Sequence, residues 1–107
     1  MELLFSAASP FVRKVSVCAR ELGLADRITE TRMGASPVNR DAALVARNPL
    51  GKLPTLITDN GTPLYDSPVI CEYLDSLAGG GRLFPPPGPK RWLALAEQAT
   101  ADGVLDA

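Results

Sequence analysis

Residues 48 to 68 carry the groups with the clearest capacity to bind a ligand. Here Pro54 stands directly before the β-prone run Thr-Leu-Ile-Thr, and a polar pair, Asp66 and Ser67, stands at the start of a helical pattern. Because proline cannot donate to a sheet ladder, Leu53-Pro54 predicts a bend at a sheet margin, which a cis peptide bond could make. Leu53 then keeps its own N–H and C=O for pairing with a bound peptide backbone.

A second helix start lies near the N-terminus, at Ser9-Pro10. Serine is a preferred N-cap residue and proline is favoured at the first helical position. The N-terminus of a helix attracts anions, because its N–H groups are unpaired and its dipole is positive there. Two such helix starts and one free strand edge together predict a site for an anionic ligand with a peptide spine.

The first half of the chain has the pattern of a strand, a helix and a second strand. Residues 2 to 5 are a short β-prone run, and residues 27 to 32 alternate charged with β-branched side chains. Between them lies the stripe of an amphipathic helix, which consists of Val12, Val15, Ala19 and Leu22. This connection predicts a right-handed parallel crossover. A loop at 34 to 40 and a short helix at 41 to 47 follow.

The second half predicts a hairpin and then a helix. Residues 54 to 58 and 62 to 65 flank Asn60-Gly61, a strong two-residue turn signal. The next helix is predicted to have Ser67 as its N-cap and to end at the three glycines that begin with Gly79. Its apolar stripe consists of Val69, Ile70, Tyr73, Leu74 and Leu77. The order βαβ then αββα predicts an α/β fold with one mixed four-stranded sheet flanked by helices.

The rest of the chain divides into a linker and a tail helix. Residues 79 to 89 are rich in glycine and proline, which is typical of a linker. Residues 90 to 107 are helix-prone, and one face carries Trp92, Leu95, Ala96 and Ala99. We therefore expect a domain at 1 to 78 and, after the linker, the start of a truncated second domain. Contact with another chain is the alternative explanation for the uncovered face.

Composition excludes several classes of function. With 107 residues, 46% hydrophobic residues and a net charge of −1, the chain has no basic footprint for nucleic acid, and nothing indicates a membrane. Its N-terminus lacks the pattern of a secretory signal, so we expect a cytoplasmic protein. There is no histidine, and Cys18 and Cys71 lie far apart in sequence, which argues against a zinc site and a dithiol redox centre. Both thiols are interpreted as small buried hydrophobic residues.

Three segments resemble the glutathione S-transferase family, and in particular its N-terminal, thioredoxin-like domain of bacterial type. They are Ser-Pro-Phe-Val-Arg-Lys-Val at 9 to 15, Asn-Pro-Leu-Gly-Lys-Leu-Pro-Thr-Leu at 48 to 56, and Leu-Tyr-Asp-Ser at 64 to 67. The resemblance runs from residue 2 to about 78, and residues 101 to 106 resemble the first helix of the family's all-helical second domain. It implies a thioredoxin-like fold, glutathione as co-substrate without a metal, and a homodimer.

The resemblance also implies roles in glutathione binding. Asp66 would hold the ammonium of the γ-glutamyl end, while Ser67 and its helix N-terminus would hold the carboxylate. Leu53 would pair with the cysteinyl backbone, Pro54 would fix the bend, and Lys52 would meet the glycyl carboxylate. The alternatives are that Ser67 is only a helix cap, that Leu53 and Pro54 are an ordinary strand entry, and that Lys52 is a solvated surface charge.

Ser9 is the candidate for activating the glutathione thiol, with Ser6 as a rival and a plain capping role as the alternative. A serine here, rather than a cysteine, argues against thiol-disulfide reductase chemistry. The leading hypothesis is a glutathione transferase N-terminal domain that binds glutathione and activates its thiol for conjugation to an unidentified electrophile. This would require the C-terminal domain, so we expect little activity from the chain alone. The alternative is a non-catalytic glutathione-transferase-like module for interaction or dimerisation.

Overall fold

The computed structural model of the protein describes residues 1–6, 8–33 and 42–106. The strands are β1 Glu2–Phe5, β2 Thr29–Arg32, β3 Thr55–Ile57 and β4 Pro63–Leu64. The helices are α1 Pro10–Glu21, α2 Ala42–Arg47, α3 Ser67–Leu77 and α4 Pro89–Asp106, with a 3-10 turn at Ala25–Arg27. The loop predicted at 34 to 40 and the first residue of the helix predicted at 41 to 47 lie outside the described residues.

The four strands form one mixed sheet in the order β2-β1-β3-β4. β1 runs parallel to β2, with Leu3 opposite Glu30, and antiparallel to β3, with Leu3 opposite Leu56. β3 pairs antiparallel with β4 through the hairpin that Asn60-Gly61 predicted. This confirms the predicted α/β fold of the thioredoxin-like kind, with β1 and β3 at the centre of the sheet.

Helix α1 forms as its sequence predicts. The Ser9 hydroxyl accepts a hydrogen bond from the N–H of Val12 at 3.3 Å, and Pro10 occupies the first helical position. All four residues of the predicted apolar stripe are buried. The chain leaves the helix through Gly23, whose φ of 72° lies in the left-handed region that favours glycine.

Helix α3 corrects two details of the prediction. Its N-cap residue is Asp66, whose φ of −89° and ψ of −154° are extended, so Ser67 is the first helical residue rather than the cap. The buried face contains Ser67, Ile70, Cys71, Leu74 and Asp75. These positions repeat at three- and four-residue spacing on one side of a helix, which leaves Val69 off that face and 45% exposed.

The main core lies between the sheet and helices α1 and α3. Its buried side chains are Leu3, Val15, Ala19, Leu22, Leu24, Leu56, Ile70, Cys71, Leu74 and Phe84. Phe84 comes from the predicted linker, which is therefore fixed to the domain. At about 25 cal/mol per Å² of apolar surface, this burial is the main favourable contribution to folding.

Helix α4 is held by polar contacts near its two ends and by Leu95, which packs against the main core. Near its start, the Arg91 guanidinium bonds to the carboxylate of Glu72, donates to the carbonyl of Pro85 and lies 5.9 Å from the centre of the Phe84 ring. No residue of α4 is buried, and Trp92 is 69% exposed. Within the described ranges, no helix combines the length and apolarity needed to span a membrane.

Candidate functional site

A cavity of about 190 Å³ lies where the loop before β3, the start of α3 and the end of α4 meet. Its lining includes five of the residues predicted to bind the ligand, namely Lys52, Leu53, Pro54, Asp66 and Ser67. Three of them come from the loop and two from the helix start, so the fold brings together the two segments that sequence reasoning paired.

The loop is shaped by Asn48, whose side chain is buried. Its amide nitrogen donates to the carbonyl of Lys52 and to the Thr55 hydroxyl, both at 3.1 Å, and its amide oxygen accepts from the N–H of Leu50 at 2.9 Å. The Thr55 hydroxyl in turn donates to the carbonyl of Lys52 at 3.0 Å. This network fixes the backbone that leads to Leu53.

Leu53 lines the cavity and is joined to Pro54 by a cis peptide bond. Within residues 1–6, 8–33 and 42–106, no hydrogen bond joins its N–H or C=O to another group of the protein. Its side chain packs against the small apolar cluster of Leu4 and Ile57. The residue is thus anchored by its side chain while its backbone can pair with an extended ligand.

At the start of α3, the buried Ser67 hydroxyl is part of a charged network. The Lys14 ammonium donates to Ser67 Oγ at 3.1 Å and to both carboxylate oxygens of Asp102 at 3.0 Å. The side chains of Lys14 and Asp102 are only 20% and 16% exposed. Because Ser67 Oγ accepts from Lys14, its own proton remains available for donation to a ligand.

Ser9 lies apart from the other predicted residues. It lines a second cavity, of about 380 Å³, which it shares with the rival Ser6 and with Arg13. Its oxygen already accepts the capping hydrogen bond from Val12, although a serine hydroxyl can still donate its proton. Phe11, two residues further along, belongs to the first cavity, so the two cavities approach each other at the start of α1.

Sequence reasoning missed several residues of the site. The first cavity is also lined by Phe11, Asn48, Leu50, Tyr65, Asp102 and Asp106. Apart from the two aspartates, these lie within or directly beside the segments already singled out, whereas Asp102 and Asp106 come from α4 and only the fold brings them in. Among the described residues, no group of three or more His, Cys, Asp or Glu side chains is arranged to hold a metal ion.

Replacement of Asn48 tests how firmly the loop is held. We expect Asn48→Ala to lower the free energy of unfolding by about 2 kcal/mol, because it removes the three hydrogen bonds of a buried side chain, one of them to the buried Thr55 hydroxyl. Asn48→Asp keeps the acceptor for the N–H of Leu50 but removes both donated bonds, so we expect at least as large a loss. Urea unfolding measures both changes, and an Asn48→Asp protein as stable as the parent would contradict this account.

Comparison with known proteins agrees with this geometry. Residues 8–77 match the family described as "Glutathione S-transferase, N-terminal domain". YibF, an uncharacterised GST-like protein of Escherichia coli K12, is 36% identical over 107 residues, which are 100% of this chain and 51% of that protein.

Two solved structures are similar to the chain over almost its whole length. A glutathione transferase family member from Pseudomonas fluorescens Pf-5, with bound glutathione, superposes with a TM-score of 0.92 at 48% identity and matches 98% of this chain and 51% of that one. A glutathione S-transferase from Methylobacillus flagellatus KT, with glutathione bound, superposes with a TM-score of 0.79 at 38% identity. The match covers 98% of this chain and 50% of that one. The chain thus spans about half the length of these relatives.

The family match covers more than half of the chain, and the fold and the cavity between the β3 loop and α3 accompany it. The chain therefore belongs to the glutathione S-transferase family, of which it carries the N-terminal domain.

Proposed function

We propose that the chain binds glutathione in the first cavity, with the γ-glutamyl end at the start of α3. The observation that carries this proposal is that Leu53, whose main chain has no partner among the described residues, and the polar start of α3, Asp66 and Ser67, line one cavity. The glutathione bound to the Pseudomonas fluorescens relative supports the choice of ligand.

The start of α3 suits the γ-glutamyl end of glutathione, which carries both a carboxylate and an ammonium group. Ser67 donates its hydroxyl proton to the carboxylate, and the positive end of the helix dipole adds to this attraction. Asp66, which is exposed at the mouth, accepts from the ammonium group. Lys14 orients the Ser67 hydroxyl. Because the Ser67 oxygen accepts a hydrogen bond from the Lys14 ammonium, the hydroxyl proton points away from Lys14 and toward the ligand.

The rest of the tripeptide extends along the loop. Leu53 pairs with the cysteinyl unit through main-chain hydrogen bonds, as in the addition of a strand to a sheet edge. Lys52, which is exposed, meets the glycyl carboxylate. The cavity of about 190 Å³ is smaller than the roughly 300 Å³ at which ligand pockets begin, so part of the ligand lies outside it.

Ser9 is proposed to stabilise the thiolate of bound glutathione. A free thiol has a pKa of about 8.5, so only about 3% is ionised at pH 7. A hydrogen bond to a charged group contributes about 1.5 to 3 kcal/mol, and one pKa unit corresponds to about 1.36 kcal/mol. One bond from the Ser9 hydroxyl therefore lowers the thiol pKa by about one unit or more, which makes the thiolate a substantial fraction at neutral pH.

The complete activity we propose is conjugation of this thiolate to an electrophile when the chain is joined to a helical second domain. The remaining residues of such a domain would form the pocket for the electrophile. A homodimer and a cytoplasmic location belong to the same proposal.

The test is the ultraviolet absorbance of the glutathione thiolate, measured against pH with Ser9→Ala. We expect the pKa of the bound thiol to rise by about one unit or more, while the affinity for glutathione changes by less than about twofold, because the hydroxyl acts on the thiolate. Ser6→Ala is the matched control, since Ser6 lines the same cavity and is expected to leave the titration unchanged.

A non-catalytic module is the second candidate, and the position of Ser9 favours it. Ser9 caps α1 and lines a cavity separate from the one with the other predicted residues. Large apolar side chains on α4, namely Trp92, Leu93 and Val104, are 65 to 70% exposed, as a surface for contact would be. An unchanged thiol titration in Ser9→Ala would select this candidate over the transferase.

A further inference from the structure

The ammonium group of Lys14 connects three helices beside the first cavity. From α1 it donates to Ser67 Oγ at the start of α3, at 3.1 Å, and to both carboxylate oxygens of Asp102 on α4, at 3.0 Å. A lysine ammonium has three N–H donors, and three acceptors surround this one. Lys14 therefore has no donor left for a ligand, although its two partners, Ser67 and Asp102, both line the cavity.

Helix α4 meets the domain along one side. Its partly covered residues recur at three- and four-residue spacing, and they are Arg91, Ala94, Leu95, Gln98 and Asp102. Arg91, near the start of the helix, is bonded to Glu72 of α3, and Leu95 packs against the main core. Asp102 is the last residue of this side, so the end of α4 is fixed to the domain at the cavity.

The charge of Asp102 holds the Lys14 ammonium in this place. The two side chains are only 16% and 20% exposed, so salt screens their attraction less than that of a pair on the surface. A lysine side chain is long and flexible, and a single hydroxyl acceptor does not fix it. Without the carboxylate, the ammonium lies partly buried beside no opposite charge, and it turns toward solvent. Ser67 then loses the donor that directs its hydroxyl proton toward the ligand.

We propose that Asp102 is a positioning residue of the glutathione site, which acts through Lys14 on the hydroxyl of Ser67. This role rests on the proposed binding of the γ-glutamyl carboxylate by Ser67. As a result, the end of α4, which lies outside the family match at 8–77, sets the affinity of a site built from α3 and the loop before β3. The Asp102 carboxylate also neutralises Lys14, so the hydroxyl and not the ammonium meets the ligand.

The first test compares two carboxylates that tie α4 to the rest of the chain. In Asp102→Asn we expect the affinity for glutathione to fall about tenfold, somewhat less than after loss of the Ser67 hydroxyl itself. Glu72→Gln is the matched control, because it makes the same change in the ion pair with Arg91, about 16 Å along α4 from Asp102. We expect this control to keep the affinity within about twofold. Isothermal titration measures both, and an unchanged affinity in Asp102→Asn, or an equal loss in both variants, would overturn the proposal.

A double-mutant cycle shows whether Asp102 acts through Ser67. A Ser67→Ala protein has no hydroxyl to position, so we expect Asp102→Asn to change its remaining affinity by less than about twofold. The two substitutions are therefore expected to be strongly non-additive. A further loss of about tenfold in the Ser67→Ala background would overturn the proposal, because Asp102 would then act on the ligand by another route.

Direct contact between Asp102 and the ligand ammonium is the competing explanation, since Asp102 lines the cavity. The probe that separates the two is glutaryl-cysteinyl-glycine, which has the carboxylate of the γ-glutamyl end but lacks its ammonium group. Positioning of Ser67 acts on the carboxylate, so we expect Asp102→Asn to weaken binding of this analogue about tenfold, as for glutathione. A loss seen with glutathione alone would assign Asp102 to the ammonium and overturn the proposal.

The coupling between α4 and the site works in both directions. A ligand that binds more tightly while α4 is docked must also stabilise the docked helix, by thermodynamic linkage. In the parent protein we therefore expect saturating glutathione to slow amide hydrogen exchange at residues 102 to 106 several-fold, with no change at Leu83 and Phe84 of the linker. Unchanged exchange at residues 102 to 106 would overturn the proposal, and this measurement needs no variant.

Failure of this role and failure of the proposed function give different results. If Ser67→Ala weakens glutathione binding and Asp102→Asn does not, the γ-glutamyl end lies at α3 without help from α4, and only the role of Asp102 is overturned. If Ser67→Ala binds glutathione as tightly as the parent, the ligand is not held at the start of α3, and both are overturned. Circular dichroism of each variant checks that a lost affinity is not a lost fold.

Discussion

Ser67→Ala is expected to weaken glutathione binding about thirtyfold, which corresponds to about 2 kcal/mol. The Ser67 hydroxyl is buried at the start of α3, and its oxygen is held by Lys14. Its proton is thereby directed toward the ligand carboxylate, and hydrogen bonds to charged groups contribute about 1.5 to 3 kcal/mol. Isothermal titration of the chain with glutathione measures the change.

Ser76→Ala is the matched control for this experiment. Ser76 lies near the other end of α3, is exposed, and donates only to the carbonyl of Tyr73. The same chemical change there is expected to leave the affinity within about twofold, as for most exposed sites. If both variants bind glutathione as tightly as the parent, or if Ser76→Ala loses as much as Ser67→Ala, the ligand is not held at the start of α3.

Asp75→Ala is expected to lower the free energy of unfolding by about 3 kcal/mol, the largest effect on stability that we predict. The buried carboxylate accepts hydrogen bonds from the N–H groups of Arg82, Leu83 and Phe84, at 3.2, 3.1 and 3.2 Å. Alanine leaves all three donors without this acceptor. For a domain of this size, the loss corresponds to a melting temperature lower by about 10 to 15 °C.

The contrast with Asp75→Asn shows whether the charge or only the acceptor matters. The amide oxygen of the asparagine can accept from two of the three N–H groups, while its NH₂ group faces the third. We therefore expect about half of the loss in unfolding free energy that Asp75→Ala causes. Asp26→Ala, on the exposed turn Ala25–Arg27, is expected to stay within about 0.5 kcal/mol of the parent. A melting temperature of Asp75→Ala equal to that of the parent would mean that Phe84 and its neighbours are held by apolar packing alone.

The fold was predictable because local patterns carried it. The stripe from Val12 to Leu22, the Asn60-Gly61 turn and the two prolines at helix starts each act over a few residues. The two errors concern α3, where the position of a single residue changes the prediction. Val69 looks like part of the apolar stripe of α3, but the helical repeat turns it toward solvent, and the extended backbone of Asp66 takes the capping position from Ser67.

The candidate site was predictable where it follows single segments. Leu53 and Ser67, which line one cavity, could be proposed from the sequence because proline and helix starts leave local signals. Lys14 and Asp102 leave no such signal in the sequence. They form a mostly buried ion pair only because α1, α3 and α4 meet at this point of the fold.

The central claim is that glutathione pairs with the main chain of Leu53 beside the start of α3. Titration of ¹⁵N-labelled protein with glutathione, followed through its amide resonances, tests it most directly. We predict saturable shifts that are largest for the amides of Leu53 and Ser67, because a new hydrogen bond forms at one and a charged group arrives at the other. Saturable shifts confined to the linker around Phe84, or no shift at Leu53 at saturation, would contradict it.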